Sequence, residues 1–285
     1  MVGDASTGGF ALITGGSSGI GLETARGLAS HFGTVGIVGR NADRLAEAAE
    51  ALASTPARIE TLRCDFTSLA EVRRLAEDVR QRFSSLQVLV NNAGAWYRNR
   101  NTSADGYEAT FAVNHLAHFL LTKELGDLLA ASAPARVVNV SSSMHARHKS
   151  LNWEDLMFQQ NWKGFRAYSH SKLANVLFSN ELARRWQGRG VTSNSLHPGN
   201  VRSRITRDNK LLNALHRSPL AQLVIMDEAQ GAKTSIYCAT ADELAQVTGK
   251  YFVRCKEKAP SKAAQDPEAA ARLWAVSEEL IQRVL

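Results

Sequence analysis

Tyr168-Ser169-His170-Ser171-Lys172 carries the sharpest chemical signal in the chain. Residues at i and i+4 share one face of a helix, so a phenol and an ammonium stand side by side there. A tyrosine hydroxyl titrates near about 10, too high for easy proton exchange at neutral pH. A neighbouring ammonium favours the phenolate and lowers that value. The pair therefore suits a proton donor to a carbonyl oxygen and a proton acceptor from an alcohol. Alone, a Tyr-x-x-x-Lys pair usually marks no more than a helix face, so other residues must agree with it. Ser142, the middle of three serines, offers a hydroxyl to a substrate oxygen, which a preorganised site turns into transition-state stabilisation. Ser141 and Ser143 serve equally well as turn caps. Asn114, in Phe111-Ala112-Val113-Asn114-His115-Leu116, interrupts an otherwise good helix. Its amide competes for backbone hydrogen bonds, which fits a kink or a water site, or else a plain surface Asn.

A second stretch is built for a different task. Phe10-Ala11-Leu12-Ile13-Thr14 is an apolar run, Gly15-Gly16-Ser17-Ser18-Gly19 a turn, and Ile20-Gly21-Leu22 opens a helical pattern. Strand, glycine turn and helix together aim free N–H groups and the positive end of a helix at one point, where a phosphate binds. Gly15, Gly19 and Gly21 turn the chain, admit a ligand and pack the helix on the strand. The Gly-x-x-x-Gly-x-Gly spacing is one residue longer than the usual dinucleotide fingerprint and is weak by itself.

The elements between these residues alternate. Strands are expected at Thr34–Gly39, Arg58–Arg63, Leu86–Val90, Arg136–Val140 and Val191–Leu196 after the first at Phe10–Thr14. Helices fill the gaps, including a long region over Asp105–Ala131 and another over Ala167–Gln187; Thr67 or Ser68 caps the helix that follows the third strand. The pattern predicts an α/β fold: a doubly wound, Rossmann-type parallel sheet with helices on both faces, in a single domain over residues 1–285. Gly15 to Ser18, Arg40, Asp65, Asn91 to Gly94, Ser142 and Pro198-Gly199 then all follow the carboxyl ends of strands, the edge where such sheets bind ligands.

In this order the motifs resemble the short-chain dehydrogenase/reductase family. Thr14-Gly15 to Gly21, Asn91-Asn92-Ala93-Gly94, Asn114, Ser142/Tyr168/Lys172 and Pro198-Gly199 carry the resemblance, which covers the chain throughout. Val113 to Thr122, Ser171 to Asn175, Gly249-Lys250-Tyr251-Phe252 and Leu273-Trp274…Ser277-Glu278 are similar to the retinol dehydrogenase-like branch, with its WW-domain oxidoreductases and protochlorophyllide reductases. The resemblance implies a nicotinamide cofactor, Tyr168 as general acid/base, Lys172 on the nicotinamide ribose and lowering the Tyr168 pKa, Ser142 polarising a carbonyl, and Asn114 holding a relay water. It implies cofactor contacts from Gly15, Ser17, Ser18, Gly19, Ile20, Asp65, Phe66, Asn92, Gly94 and Val201 as well. Tyr168 lies 26 residues after Ser142, and the intervening insert, His145 to Arg166, brings Trp153, Phe158, Trp162 and Phe165, which are expected to shape the substrate mouth.

The residue after the second strand approaches the adenosine ribose in this fold. Here it is Arg40, whose guanidinium matches a 2′-phosphate, so NADP(H) is expected over NAD(H). The competing reading is an Arg turned to solvent. The resemblance implies that residues 200–226 form a substrate lid; the Leu211–Met226 part is strongly apolar and Pro219 interrupts it, which suits a small hydrophobic carbonyl compound or alcohol. A membrane-surface or subunit contact would also use such a wall, and a homo-oligomer is compatible with it. Residues 1–8 are expected to be flexible.

Bulk properties narrow the class. Of 285 residues, 44% are hydrophobic and 21% charged, as in ordinary globular proteins. The formal charge is +7, with bases scattered among acids rather than blocked, so nucleic acid is not the expected partner. Cys64, Cys238 and Cys255 form no disulfide framework and no metal motif, which fits a reducing compartment, and the cytoplasm is the expected location. Neither a signal peptide nor a membrane span is read. The competing functions are a cofactor-binding regulatory protein with little turnover, which would not need all of Asn114, Ser142, Tyr168 and Lys172, and a light-dependent reductase.

Overall fold

A computed structural model describes residues 8–201 and 226–285. Its eight-stranded sheet runs in the order β3-β2-β1-β4-β5-β6-β7-β8. The strands are β1 Phe10–Thr14, β2 Thr34–Gly39, β3 Arg58–Arg63, β4 Val88–Asn91, β5 Ala135–Val140, β6 Val191–His197, β7 Tyr251–Val253 and β8 Lys256–Glu257. The first seven are parallel, and β8 returns antiparallel to β7. Central strands are buried throughout, as a sheet covered on both faces requires, which is why β1 and β4 read as continuous apolar runs.

Two cores result. On one face, Ala25 and Leu28 of α1 (Gly19–Leu28), Leu45 and Ala48 of α2 (Ala42–Ala51) and, much later in the chain, Cys238 and Ala239 pack with Ile13, Ile37 and Val138. On the other, α3 (Leu69–Arg82) contributes Val72 and Leu75, and Phe119, Leu173, Leu177 and Trp274 join them. Local chemistry sets the ends. Asn41 Oδ1 accepts from Arg44 N at 2.8 Å to start α2, and Ser68 Oγ accepts from Glu71 N at 3.3 Å to start α3.

The expected helix over Asp105–Ala131 is instead four pieces. Glu108 is extended and its carboxylate caps Phe111 N at 2.8 Å, so α4 begins at Ala109 and ends at Phe111. A π-helical turn, Ala112–Leu116, follows, then α5 (Ala117–Glu124) and α6 (Gly126–Ala131). A Cβ on Gly126 would stand 2.9 Å from the Trp186 ring, so this glycine admits the end of α7 (Gly164–Arg185) at the α5–α6 break. The β7–β8 hairpin was not foreseen. Its turn, Arg254-Cys255, holds both residues at positive φ (52° and 58°), the geometry of a two-residue hairpin without its usual Asn-Gly signature. The remaining helices are α8 (Glu228–Thr240), which packs on α1, and α9 (Pro267–Gln282), which packs on α7; Asp227 and Asp266 cap them. The first residues and almost all of the expected lid, 202–225, lie outside the described residues. The lid's ends meet, with Met226 N donating to Asn200 O at 2.9 Å and Val201 bridging Met226.

Candidate active site

A cavity of about 540 Å³ opens along the carboxyl edge of the sheet, where β1 and β4 diverge toward opposite neighbours. Every residue expected at the site lines it except Asn114.

Its floor is the turn after β1. Gly15 (φ 66°) and Gly19 (φ 58°) occupy the left-handed region. A Cβ on Gly15 would lie 2.9 Å from Ala93 Cα, and one on Gly21 would run into the Gly15 carbonyl oxygen. Gly19 by contrast faces open cavity, with Glu228 Oε1 the nearest atom at 3.7 Å from an added Cβ. Ser18 makes no capping bond and the first turn of α1 holds no acid. Among the described residues the first-turn N–H groups of α1 therefore have no side-chain acceptor, and Ser17, Ser18 and Ile20 line the cavity beside them.

The turn is tied to the next strand end. Thr14 Oγ1 accepts from Asn92 N and Ala93 N, both at 2.9 Å, and Asn92 Nδ2 donates to Thr14 O at 2.8 Å. The Asn92 side chain thus clamps β1 to β4. His118 completes the arrangement, with Nε2 3.0 Å from Thr14 Oγ1 and Nδ1 3.1 Å from Asn114 O. Burial, reinforced by Lys172, pushes its pKa down to about 3, so it is neutral.

Asn114 is fully buried, one layer behind the cavity wall. Its Oδ1 accepts from Ala95 N at 2.7 Å, and its Nδ2 donates to Ala95 O at 3.0 Å and to Ser171 Oγ at 2.9 Å. The amide's partners here are Ala95 and Ser171, so the side chain clamps the β4 loop to α7 and is not a surface residue. The kink read at Asn114 is the π-helical turn.

On the far wall, β5 and α7 bring Ser142, Tyr168 and Lys172 together. Ser142 is extended (φ −161°), and its Oγ accepts from Met144 N at 3.2 Å. Lys172 Nζ donates to Val140 O at 3.0 Å and lies 5.6 Å from the Tyr168 ring centre. Burial pushes the Tyr168 hydroxyl up to about 12, opposed by a hydrogen bond with Ser142. Burial likewise pushes Lys172 down to about 8. Burial thus sets the direction of both shifts, disfavouring both charges, and the Lys172 ammonium is turned to a backbone carbonyl. The arrangement presents a neutral phenol and a serine hydroxyl to one point of the cavity, which suits gripping an oxygen and handing it a proton.

At the opposite end, Arg40 Nη1 lies 3.7 Å from Asp65 Oδ2, with the Arg40 side chain 69% exposed. Asp65 Oδ1 accepts from Thr67 N and Thr67 Oγ1 at 2.9 Å. Gly94, Phe66 and Val201 line the same space.

Trp96, Met144, His197 and Glu228 also line the cavity and were not singled out from sequence. No motif or spacing in the sequence marks them, and only the chain's return brings Glu228 back to Gly19. The insert's aromatic residues divide. Phe165, 51% exposed and 5.2 Å from the Trp96 ring, lines the mouth as expected. The other three are structural: Phe158 is buried against His170, Trp153 carries Arg272, and Trp162 Nε1 donates to Glu108 Oε1 at 3.1 Å. Among the described residues no group of three or more His, Cys, Asp or Glu side chains could hold a metal ion, and no helix is long and apolar enough to cross a membrane. All three cysteines are free.

Comparison with known proteins places this geometry. The chain is 42% identical over 272 residues to retinol dehydrogenase 12 of Mus musculus, covering 95% of this chain and 85% of that protein. It is 42% identical over 288 residues to the WW domain-containing oxidoreductase of Danio rerio, covering 95% of this chain and 68% of the relative. Among solved structures it superposes on an uncharacterised protein of Mycobacterium paratuberculosis with a TM-score of 0.76 at 32% identity, over 96% and 93% of the two chains. The NADP complex of Pseudomonas aeruginosa RhlG gives 0.69 at 28%, over 87% and 95%. The short chain dehydrogenase family model matches residues 9–212, and with relatives aligned over nearly the whole chain, the protein belongs to the short-chain dehydrogenase family of oxidoreductases.

Proposed function

We propose that this oxidoreductase uses NADP(H) to interconvert a small hydrophobic ketone or aldehyde and the matching alcohol. The observation that carries the reading is the meeting of Ser142, Tyr168 and Lys172 in the cavity whose floor is the glycine cradle. The cradle fits a dinucleotide: Gly19 leaves open space over uncapped N–H groups where a side chain or acid would obstruct a phosphate. Gly15, Ser17, Ser18, Gly19 and Ile20 would hold the pyrophosphate, and Lys172 the nicotinamide ribose. Asp65 and Phe66 would meet the adenine, and Asn92, Gly94 and Val201 line the rest of its path. Arg40 would take the 2′-phosphate, exchanging a largely exposed ion pair with Asp65 for a stronger, doubly charged partner.

When bound, the reduced nicotinamide supplies a hydride to the carbonyl carbon. Ser142 and Tyr168 hold the carbonyl oxygen, and the Tyr168 hydroxyl proton passes to it as the C=O π bond breaks, giving the alcohol. In the oxidation direction Tyr168 takes that proton back. Lys172, beside the ring, stabilises the tyrosinate left after transfer. Trp96, Phe165 and Met144 make the mouth apolar, which supports a hydrophobic substrate. The relatives named for retinol put all-trans-retinal in the test panel with nonanal and acetophenone. NADPH oxidation should be seen with at least one, faster than NADH oxidation. Cofactor binding without turnover across a broad carbonyl and alcohol panel would favour a regulatory protein instead.

A further inference from the structure

We propose that His145 is a positioning residue for Ser142, a role that rests on reading Ser142 as a donor to the substrate oxygen. His145 sits on the 3-10 turn Ser143–Arg147, where Ser143, Ala146 and Arg147 are exposed and Met144 is half-buried, yet its own side chain is buried. Its ring lies between the backbones of Ser142 and Ser261, the second of them 116 residues from His145 itself. Nδ1 is 2.7 Å from the Ser142 carbonyl oxygen, and Ser261 N donates to Nε2 at 3.0 Å. A carbonyl only accepts and an N–H only donates, so one neutral tautomer, with hydrogen on Nδ1, satisfies both contacts. The His145 backbone N–H also donates to Ser142 O, at 3.1 Å. One residue therefore grips the Ser142 carbonyl twice.

The grip has a consequence at the hydroxyl. The same turn brings Met144 N–H to Ser142 Oγ at 3.2 Å. With that lone pair occupied, the Ser142 O–H is left to face Tyr168 and the cavity. The ring stacks obliquely on Tyr251 of β7 at 4.9 Å, so the C-terminal part of the sheet and the Ser261 segment form its backing. Burial holds the imidazole below its ordinary pKa, in keeping with a neutral ring. A packing role alone needs a ring of this size and neither nitrogen; a positioning role needs Nδ1–H above all.

His145→Phe keeps the ring and deletes both hydrogen bonds. His145→Asn keeps an N–H at the Nδ1 position and gives up the reach to Ser261. Losing one such bond at a transition-state donor should lower kcat about tenfold in the Phe variant, while the Asn variant recovers most of it. NADPH affinity should stay within about twofold in both, because neither touches the cradle. The readouts are kcat and KM on the fastest carbonyl compound of the panel, and NADPH titration. Wild-type kcat in His145→Phe, or equal losses in Phe and Asn variants with NADPH binding intact, would overturn the proposal. Nitrogen-15 NMR of the wild-type ring provides a test independent of variant folding: Nδ1–H with an accepting Nε2 is expected, and the opposite tautomer or a charged ring at neutral pH overturns it. Ser142→Ala is assayed alongside. Wild-type turnover there removes Ser142 from the reaction and the proposal with it, a failure distinct from one seen only at His145.

Discussion

The proton-handling role proposed for Tyr168 is tested by the smallest change available. Tyr168→Phe keeps the ring and its packing and removes only the hydroxyl. Turnover should fall by at least about a hundredfold, the scale of general-acid catalysis, with NADPH affinity nearly unchanged. Near-normal turnover on a verified substrate sinks the assignment. Lys172 carries a linkage prediction. Its native pKa is about 8 against an ordinary 10.5, so between those values the unfolded chain holds the proton and the native chain does not. Stability contributed by this site therefore rises as pH goes from 8 to 10.5. Thermal melts of wild type and Lys172→Met should diverge in that window, wild type gaining; a constant gap would show that the ammonium is not desolvated in the native state. Arg40→Asp removes the cation and sets a carboxylate against the 2′-phosphate. A charge-assisted hydrogen bond contributes about 1.5–3 kcal/mol, so NADPH binding should weaken by at least about tenfold, while NADH is spared or improved. Equal weakening of both makes Arg40 structural, and no change in either leaves NADP(H) unsupported. These residues were legible in the sequence because a Tyr–Lys pair and an Arg after a strand advertise chemistry by type. Asn114 was legible as an oddity but not in its partners, since a helix pattern cannot say that an amide meets Ala95 of another loop and Ser171 of α7.

The strand–turn–helix at Gly15–Leu28 shows what an element adds to its residues. Gly21 has no room for a Cβ beside the Gly15 carbonyl, so Gly21→Ala must push α1 away from β1. Steric insertion into a packed contact costs about 1–3 kcal/mol, and the displaced helix end should lose cofactor affinity with it. Wild-type melting temperature and NADPH affinity in that variant would show that the cradle tolerates a wider turn. Glu228, at the start of α8, faces the same cradle from the other side of the chain. Glu228→Gln removes a negative charge beside the expected phosphate, and NADPH should bind more tightly by an amount that shrinks in high salt. Unchanged affinity at low salt means that the carboxylate turns away when the ligand enters. The strands and most helix limits followed from apolar runs and caps, whose causes are local. The β7–β8 hairpin and the π-helical turn did not, because a three-residue strand and a one-residue widening of a helix are stabilised by what packs on them.

At the scale of the molecule, the site is an assembly of strand ends. The cavity is lined from the ends of β1, β2, β3, β4, β5 and β6 and from α7 and α8, so a ligand filling it should stiffen the sheet as a unit. A ligand at a hundred times its Kd stabilises the native state by about 2.7 kcal/mol. The melting temperature should therefore rise by several degrees with NADPH and less with NADH at equal concentration, and equal shifts would argue against discrimination at Arg40. By itself the sequence determined the alternation of strands and helices, the edge on which the polar turn residues fall, and the identity of the residues able to hold a phosphate or move a proton. Those follow from periodicity, turn chemistry and side-chain type, which act over a few residues. Only the tertiary structure decided that Tyr168 and Lys172 are pushed toward neutrality by burial, that Asn114 stands behind the cavity, that three of the insert's four aromatic side chains are packing, and that His145 reaches Ser261. Each of those depends on desolvation or contact between segments tens of residues apart, which local sequence pattern does not encode.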